Sequence, residues 1–297
     1  MKYYNGDEVS FGDCVIDTIK LDLTVLEVDK IYCGDCLTLM KAIPDKSIDL
    51  TVTSPPYNVG IDYENHIDTM SENDYFSFIQ SVSDELYRIS KVGGRACINI
   101  PFIGNSTFKA KSEKLIFYPN MYMPIFERSG WIIRDFVVWV KSSEAENPNN
   151  FCGNSTQWGS WLSPSCPYMR CFAEVILVFH KIDKRLDHKG ESDLTKDEFM
   201  EYTKNVWYFK TANNIKDHPA QFPIELPKRC IKLYSYLDDL VFDPFAGIGN
   251  TALACIDNNR HYLGCDISQA YVDIANRRVA DAIYARDSQP ELHLTKG

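Results

Sequence analysis

Residues 241–252 read VFDPFAGIGNTA, an apolar strand end that turns through two spaced glycines into the helix-compatible run Leu253-Ala-Cys-Ile256. Gly247 and Gly249 let the backbone turn tightly and come close to a ligand at a helix N-terminus. A Gly-x-Gly alone is weak evidence, but here a strand and a helix flank it on the expected sides. Beyond Arg260-His-Tyr-Leu263 comes Gly264-Cys265-Asp266-Ile267. Asp266 lies about 20 residues past the loop, at the next strand end, where a ribose-binding carboxylate belongs. The bland alternative is an ordinary β–α–β turn with a solvated Asp266.

The rest of the chain alternates in the same way. Apolar runs at 48–53 (IDLTVT), 134–140 (RDFVVWV) and 173–179 (AEVILVF) end at polar or Gly/Pro punctuation and predict core strands, as do 95–100 and 240–243. Helical spacing predicts helices over 74–90, where Phe78, Val82, Leu86 and Ile89 recur, and over 223–236. Strands alternating with helices of this length imply an α/β fold, a mostly parallel twisted sheet flanked by helices. The 297 residues suit a single domain. Two stretches break the rhythm as loop-like insertions: about 142–170, rich in Asn, Ser, Pro and Gly, and about 182–217. The final residues, from about 286, read as a frayed tail.

The residues around the glycines narrow the ligand. Asp243-Pro244 puts a carboxylate beside the loop, which would repel a pyrophosphate but suits a ligand with a cationic amino group. S-adenosylmethionine carries that amino group together with a ribose diol and an adenine. With this cofactor, a second stretch acquires a purpose. Thr53-Ser54-Pro55-Pro56-Tyr57-Asn58 follows the strand at 48–53, and its two prolines cannot continue a ladder. The corner offers a hydroxyl, a carbonyl and an aromatic ring in a rigid frame. The lone pair of an exocyclic amine on a nucleobase is delocalised into the ring. Acceptors on the amine's hydrogens, the Ser54 hydroxyl and the Pro55 carbonyl, would favour a pyramidal nitrogen able to attack a methyl group. Tyr57 would hold the base and the prolines would freeze the geometry. Such a base must leave the duplex.

These motifs, in this order, resemble the beta group of DNA amino-methyltransferases, in which the catalytic corner precedes the cofactor loop. The resemblance covers most of the chain and implies a Rossmann-like methyltransferase fold with circularly permuted motifs. It implies catalytic roles for Ser54, Pro55, Pro56 and Tyr57. Ile31-Tyr-Cys-Gly-Asp35-Cys36 is similar to the family's segment near the cofactor's adenine, and Glu174–Lys181 to its strand after the active site. His218-Pro-Ala-Gln-Phe222-Pro223 is similar to the segment lining the cofactor pocket. Cofactor contacts are thereby expected from Asp35, Cys36, Thr53, Phe222, Pro223, Asp243, Pro244, Phe245, Ala246, Gly247, Gly249, Thr251, Asp266 and Ile267. Asp266 stands where the family often has Glu. Ser rather than Asp at position 54 resembles enzymes acting on N4 of cytosine, with adenine N6 as the alternative and an idle DNA-recognition subunit as a second. The resemblance also implies a double-stranded DNA partner, no metal and no covalent intermediate, in a restriction-modification setting. A homodimer and a companion endonuclease would fit that setting.

Composition limits the alternatives. Hydrophobic content of 45% with 24% charged residues is that of an ordinary globular protein. No run reaches the length of a membrane span and the N-terminus is acidic, so a cytoplasmic protein is expected. The net charge of −10 lowers the expectation of a polyanionic partner without removing it, because phosphate affinity depends on a local face. Basic clusters occur at Arg88, Lys91 and Arg95, at Lys109, Lys111 and Lys114, and at Lys181, Lys184, Arg185 and Lys189. The last two clusters are candidate phosphate contacts. Trp158, Trp161 and Tyr168 are candidate base-stacking residues, although loop aromatics more often anchor local packing. Most of the ten cysteines, Cys97, Cys230 and Cys255 among them, are expected to be buried thiols. Cys33-Gly-Asp-Cys36 has no second pair at zinc spacing. The absence of a Pro-Cys dipeptide counts against C5 methylation of cytosine.

Overall fold

The computed structural model describes residues 26–58, 62–63, 66–67, 70–104, 116–142, 160–167, 171–183, 185–212 and 221–288. In chain order the strands are β1 (Lys30–Cys33), β2 (Ile48–Thr53), β3 (Asp62–Tyr63), β4 (His66–Ile67), β5 (Ser90–Pro101), β6 (Ile103–Gly104), β7 (Ile116–Phe117), β8 (Trp131–Val140), β9 (Ala173–Lys181), β10 (Val206–Tyr208), β11 (Leu240–Asp243) and β12 (His261–Asp266). The helices are α1 (Cys36–Ala42), α2 (Glu72–Ile89), α3 (Tyr118–Arg128), α4 (Lys196–Tyr202), α5 (Glu225–Tyr234), α6 (Asn250–Asp257) and α7 (Gln269–Asp287).

Eight strands form one sheet in the order β1-β12-β11-β2-β5-β9-β8-β10. All neighbours pair in parallel except β9, which runs antiparallel between β5 and β8. Every residue of β2 is buried, as expected of a central strand covered on both faces. One face packs on α1, α2 and α3 through residues such as Met40, Ile79, Leu86 and Phe126. The other packs on α5, α6 and α7 through Leu226, Ile231, Ala254 and Val272. From β11 the chain winds outward through β12, and from β2 it winds outward the other way through β5. The order therefore reverses between β11 and β2, and the carboxyl ends of those strands define the crevice where open α/β sheets bind ligands. The proline corner precedes the glycine loop in sequence because the chain fills β2 to β10 before returning to β11.

Several elements differ from the expected ones. Strand β5 starts at Ser90, directly after α2 and ahead of the expected 95–100, so that Gly93 and Gly94 lie inside the strand. A Cβ at Gly93 (φ +76) would strike the Arg185 carbonyl, 1.7 Å away, which explains its glycine. The stretch 182–217 is not simply a loop, since it supplies α4 and the edge strand β10. Thr195 and Glu198 cap α4 reciprocally, and the Arg229 guanidinium stacks on Tyr202, Trp207 and Phe209 to bind this segment to α5. Helix α7 continues to Asp287, into the expected tail. Cys97, Cys230 and Cys255 are buried free thiols, as their positions suggested.

Candidate active site

The two strand tips at the reversal point, the glycine loop and α6 are tied together by one carboxylate. Asp243, the last residue of β11, is 2% exposed and accepts hydrogen bonds from Thr53 Oγ1 (2.6 Å), Thr251 Oγ1 (2.6 Å) and the Phe245 amide (3.1 Å). Burial raises its pKa to about 6 despite those donors. Both of its oxygens are thus engaged in joining β2, the glycine loop and α6. Beside it, the Asp266 carboxylate accepts from the amides of Gly247 (2.9 Å) and Ser268 (2.9 Å), and its pKa is raised by burial. Gly249 adopts φ +83, a conformation open to glycine at little cost. A Cβ there would lie 3.0 Å from Ala275 Cβ and 3.2 Å from Ile31 Cδ1, so α7 and β1 also require the bare backbone.

Asp35 completes this rim. It caps α1, with Oδ1 accepting from Thr38 N (2.8 Å) and Thr38 Oγ1 (2.9 Å). The β1–β12 register sets Cys33 opposite Asp266, and the Gly34 amide bonds the Asp266 carbonyl at 2.9 Å. Asp35 and Asp266 therefore stand on neighbouring strand ends, with the 57% exposed Ile267 side chain next to them. Cys36 is buried in α1, and burial keeps its thiol protonated. Phe222 and Pro223 lie across the start of α6, where Asn250 Nδ2 bonds the Phe222 carbonyl at 2.7 Å. Pro244, Phe245 and Ala246 form the turn itself, with Phe245 edge-on to Phe78 and the Ala246 amide on the Cys265 carbonyl (2.8 Å).

The proline corner at the tip of β2 is clamped from beneath. Tyr75 donates to the Pro56 carbonyl (2.9 Å), Tyr118 to the Tyr57 carbonyl (2.5 Å), and Tyr75 also bonds Tyr122 (2.5 Å). Asn58, at φ +53, exchanges hydrogen bonds with the Met70 backbone. Ser54 Oγ lies 2.5 Å from Tyr57 Oη and 3.2 Å from the Asn99 carbonyl. The Tyr57 hydroxyl turns inward to Glu174 Oε2 (3.2 Å) and Asn99 Nδ2 (3.0 Å). Its pKa is pushed well above the usual phenol value by burial and by the Glu174 charge, so it is a neutral phenol. Lys141 Nζ in turn contacts Glu174 Oε1 at 2.5 Å.

The structure thus brings the expected residues into two adjoining groups, the corner 54–57 and the rim formed by Asp35, the glycine loop and Asp266. It adds Asn99, Lys141, Tyr75 and Tyr118, which the motifs did not identify, and Glu174, which heads the segment resembling the family's strand after the active site but was given no role there. Lys181, an expected phosphate contact, is 3% exposed and donates to the Tyr87 and Ser90 carbonyls at the end of α2. Arg88 and Lys91 are held in ion pairs with Glu85, Asp45 and Asp49. Lys109, Lys111, Lys114, Trp158, Tyr168, Lys184 and His218 lie outside the described residues. Among the described residues, one set of side chains could together hold a metal: Asp49, His188 and Asp239, at the opposite end of β2 and β11, where Lys91 already pairs with Asp49.

Comparison with known proteins agrees with this geometry. The DNA methylase family matches residues 48–277. The Type II methyltransferase M.BglII of Bacillus subtilis is 30% identical over 254 residues, which are 84% of this chain and 68% of that one. The DNA adenine methyltransferase YhdJ of Escherichia coli K12 is 27% identical, over 85% of this chain and 83% of that one. Among solved structures, TTHA0409 of Thermus thermophilus complexed with S-adenosyl-L-methionine gives a TM-score of 0.67 at 21% identity, covering 86% of this chain and 94% of that one. PvuII DNA methyltransferase (cytosine-N4-specific) gives 0.63 at 18%, covering 86% and 91%.

The chain belongs to the DNA methylase family whose members methylate exocyclic amines. Within it, the chain is a site-specific DNA methyltransferase, and its cofactor is S-adenosyl-L-methionine. The residues present fit that cofactor. Asp35 and Asp266 offer acceptors side by side for hydroxyl and amino groups, with exposed apolar surface on Ile267 for a purine, and a glycine turn at the start of α6. No described helix is long and apolar enough to cross a membrane.

Proposed function

We propose that the chain methylates the exocyclic N4 amine of cytosine within a specific sequence of double-stranded DNA, taking the base out of the stack to reach it. The observation that supports this reading is Ser54 at the tip of β2, a neutral hydroxyl held between Tyr57 and the Asn99 carbonyl. A serine in this corner is the residue the resemblance associates with cytosine. Adenine N6 is the second reading, favoured by the name of the relative YhdJ, an adenine methyltransferase.

In this reading Asp35 and Asp266 hold the adenine and ribose end of the cofactor, while the turn at 244–249 and the Thr53–Asp243–Thr251 hub shape the methionine end. S-adenosylmethionine, when bound, supplies an electrophilic methyl group. Ser54 accepts a hydrogen bond from the target amine and the Pro55 carbonyl takes the other hydrogen, drawing the nitrogen lone pair out of conjugation. Tyr57 bounds the base pocket. The tyrosine clamps on the Pro56 and Tyr57 carbonyls fix the acceptors before the base arrives, so little reorganisation remains for the reacting complex. The Thr53–Asp243 bond couples the acceptor strand to the cofactor loop, setting the distance between the two reactants.

The test is product identity. DNA treated with the protein and isotopically labelled S-adenosylmethionine is digested to nucleosides and resolved by mass spectrometry. Label in N4-methyldeoxycytidine is the expected result; label confined to N6-methyldeoxyadenosine would transfer the same chemistry to the second reading.

A further inference from the structure

Lys141 and Glu174 form an ion pair against the proline corner, for which the sequence resemblance assigned neither residue a role. Glu174 is 8% exposed, and its two oxygens divide their partners: Oε1 faces Lys141 Nζ (2.5 Å), and Oε2 accepts from Asn99 Nδ2 (2.6 Å) and Tyr57 Oη (3.2 Å). Glu174 is buried and Lys141 only partly so, and an ion pair that desolvates a charge in this way is a poor stabiliser. This one stands at the end of a line of hydroxyls. A carboxylate only accepts, so Asn99 turns its amide NH2 and Tyr57 its phenolic proton toward Glu174. Tyr57 Oη then accepts from Asn99 (3.0 Å) and from Ser54 (2.5 Å). With its proton given to Tyr57, Ser54 offers a lone pair to the amine, the other facing Asn99 Nδ2 at a longer 3.4 Å.

We infer that Glu174, charge-matched by Lys141, is a positioning residue that sets the direction of the Ser54–Tyr57–Glu174 hydrogen-bond chain, and that this chain carries away the proton the amine releases. The inference deepens the proposed amine methylation and rests on it. After the nitrogen has bonded to the methyl carbon it holds one proton too many and a positive charge. The N–H bond breaks and its electron pair returns to nitrogen. The proton passes to Ser54 Oγ, the Ser54 proton to Tyr57 Oη, and the Tyr57 proton to Glu174 Oε2. The products are a neutral methylated amine and a protonated Glu174, with charge conserved. Tyr57 can serve as a carrier because burial keeps it a phenol. The groups facing Glu174 are Tyr57 from the β2 corner, Asn99 from β5 and Lys141 after β8; of these only Lys141 bears a charge.

The test compares wild type, Glu174→Gln, Glu174→Asp and Lys141→Met in single-turnover methyl transfer across pH, with S-adenosylmethionine affinity and urea midpoint measured on the same proteins. Gln preserves size and an acceptor oxygen but cannot take the proton, so the rate should fall about 100-fold or more while cofactor affinity holds. Asp should restore part of the rate. Lys141→Met removes the ammonium that holds Glu174 Oε1, so the rate should fall while cofactor affinity holds. A Glu174→Gln protein that transfers at the wild-type rate overturns the inference. So does a set of variants that lose cofactor affinity and stability in step with rate, the mark of a purely structural pair. Product analysis of the wild type separates the two failures: a wild type that methylates an amine alongside an equally fast Glu174→Gln sinks only the proton path, whereas a wild type that methylates none sinks the parent reading.

Discussion

Replacing Thr251 by Val removes one of the three donors to Asp243 while nearly keeping side-chain volume. The lost bond is 2.6 Å long, buried, and made to a carboxylate. Hydrogen bonds to charged groups contribute about 1.5–3 kcal/mol, and a neutral pair about 1 kcal/mol. The cost of the substitution should therefore depend on whether Asp243 is ionised. Its folded pKa of about 6 lies above the ordinary value of 3.8. Folding thus disfavours the ionised form, and Asp243 reduces stability progressively as pH rises from about 4 through 6. At 1.36 kcal/mol per pKa unit, that penalty is roughly 3 kcal/mol above pH 6. At pH 8 the charged carboxylate needs Thr251, and Thr251→Val should cost about 2 kcal/mol. At pH 5 the carboxyl is largely protonated in the fold, and the cost should fall to about 1 kcal/mol or less. The assay is urea unfolding of both proteins at each pH, read as a midpoint shift at unchanged slope. Differences taken at one pH cancel every other titrating group. An equal loss at pH 5 and pH 8, or none at pH 8, would refute the assignment of a buried charged hub.

Ser54→Ala should reduce the single-turnover rate by about 100-fold, the loss typical of one preorganised polar group, with cofactor affinity unchanged by calorimetry. Equal losses in both would remove Ser54 from the chemistry. Gly249→Ala should lower stability by about 2–4 kcal/mol, adding the left-handed strain of a Cβ to overpacking against Ala275 and Ile31. Its cofactor affinity should fall as well, and a variant as stable as wild type in urea would contradict the close approach at that turn.

The centre of the sheet was legible because buried parallel strands are short apolar runs with sharp ends. Strands β2 and β11 occupy 48–53 and 240–243, the same residues as the apolar runs. The glycine loop was legible for a similar reason, since only glycine serves where the backbone turns left-handed against Ala275. The periphery was harder. Strand β10 has three residues at an edge, and its stability comes from Arg229, more than twenty residues later. Helix α4 did carry a local signal, Thr195 three residues before Glu198, hidden in a charged stretch. In the site, Tyr75, Tyr118 and Tyr122 sit at helical positions that read as core, yet it is their hydroxyls that hold the corner. Glu174 at the head of the otherwise apolar AEVILVF was the visible oddity. Its partner Lys141 lies 33 residues away and meets it only because β8 and β9 pair antiparallel.

The proposed reaction turns on Ser54 presenting an acceptor to the amine of an extruded cytosine. Mass spectrometry of nucleosides from DNA methylated by the protein with labelled S-adenosylmethionine tests it most directly. Label is expected in N4-methyldeoxycytidine, reduced in step with rate by Ser54→Ala. Label in N6-methyldeoxyadenosine alone would contradict the base assignment, and no labelled nucleoside from DNAs of varied sequence would contradict the proposed chemistry.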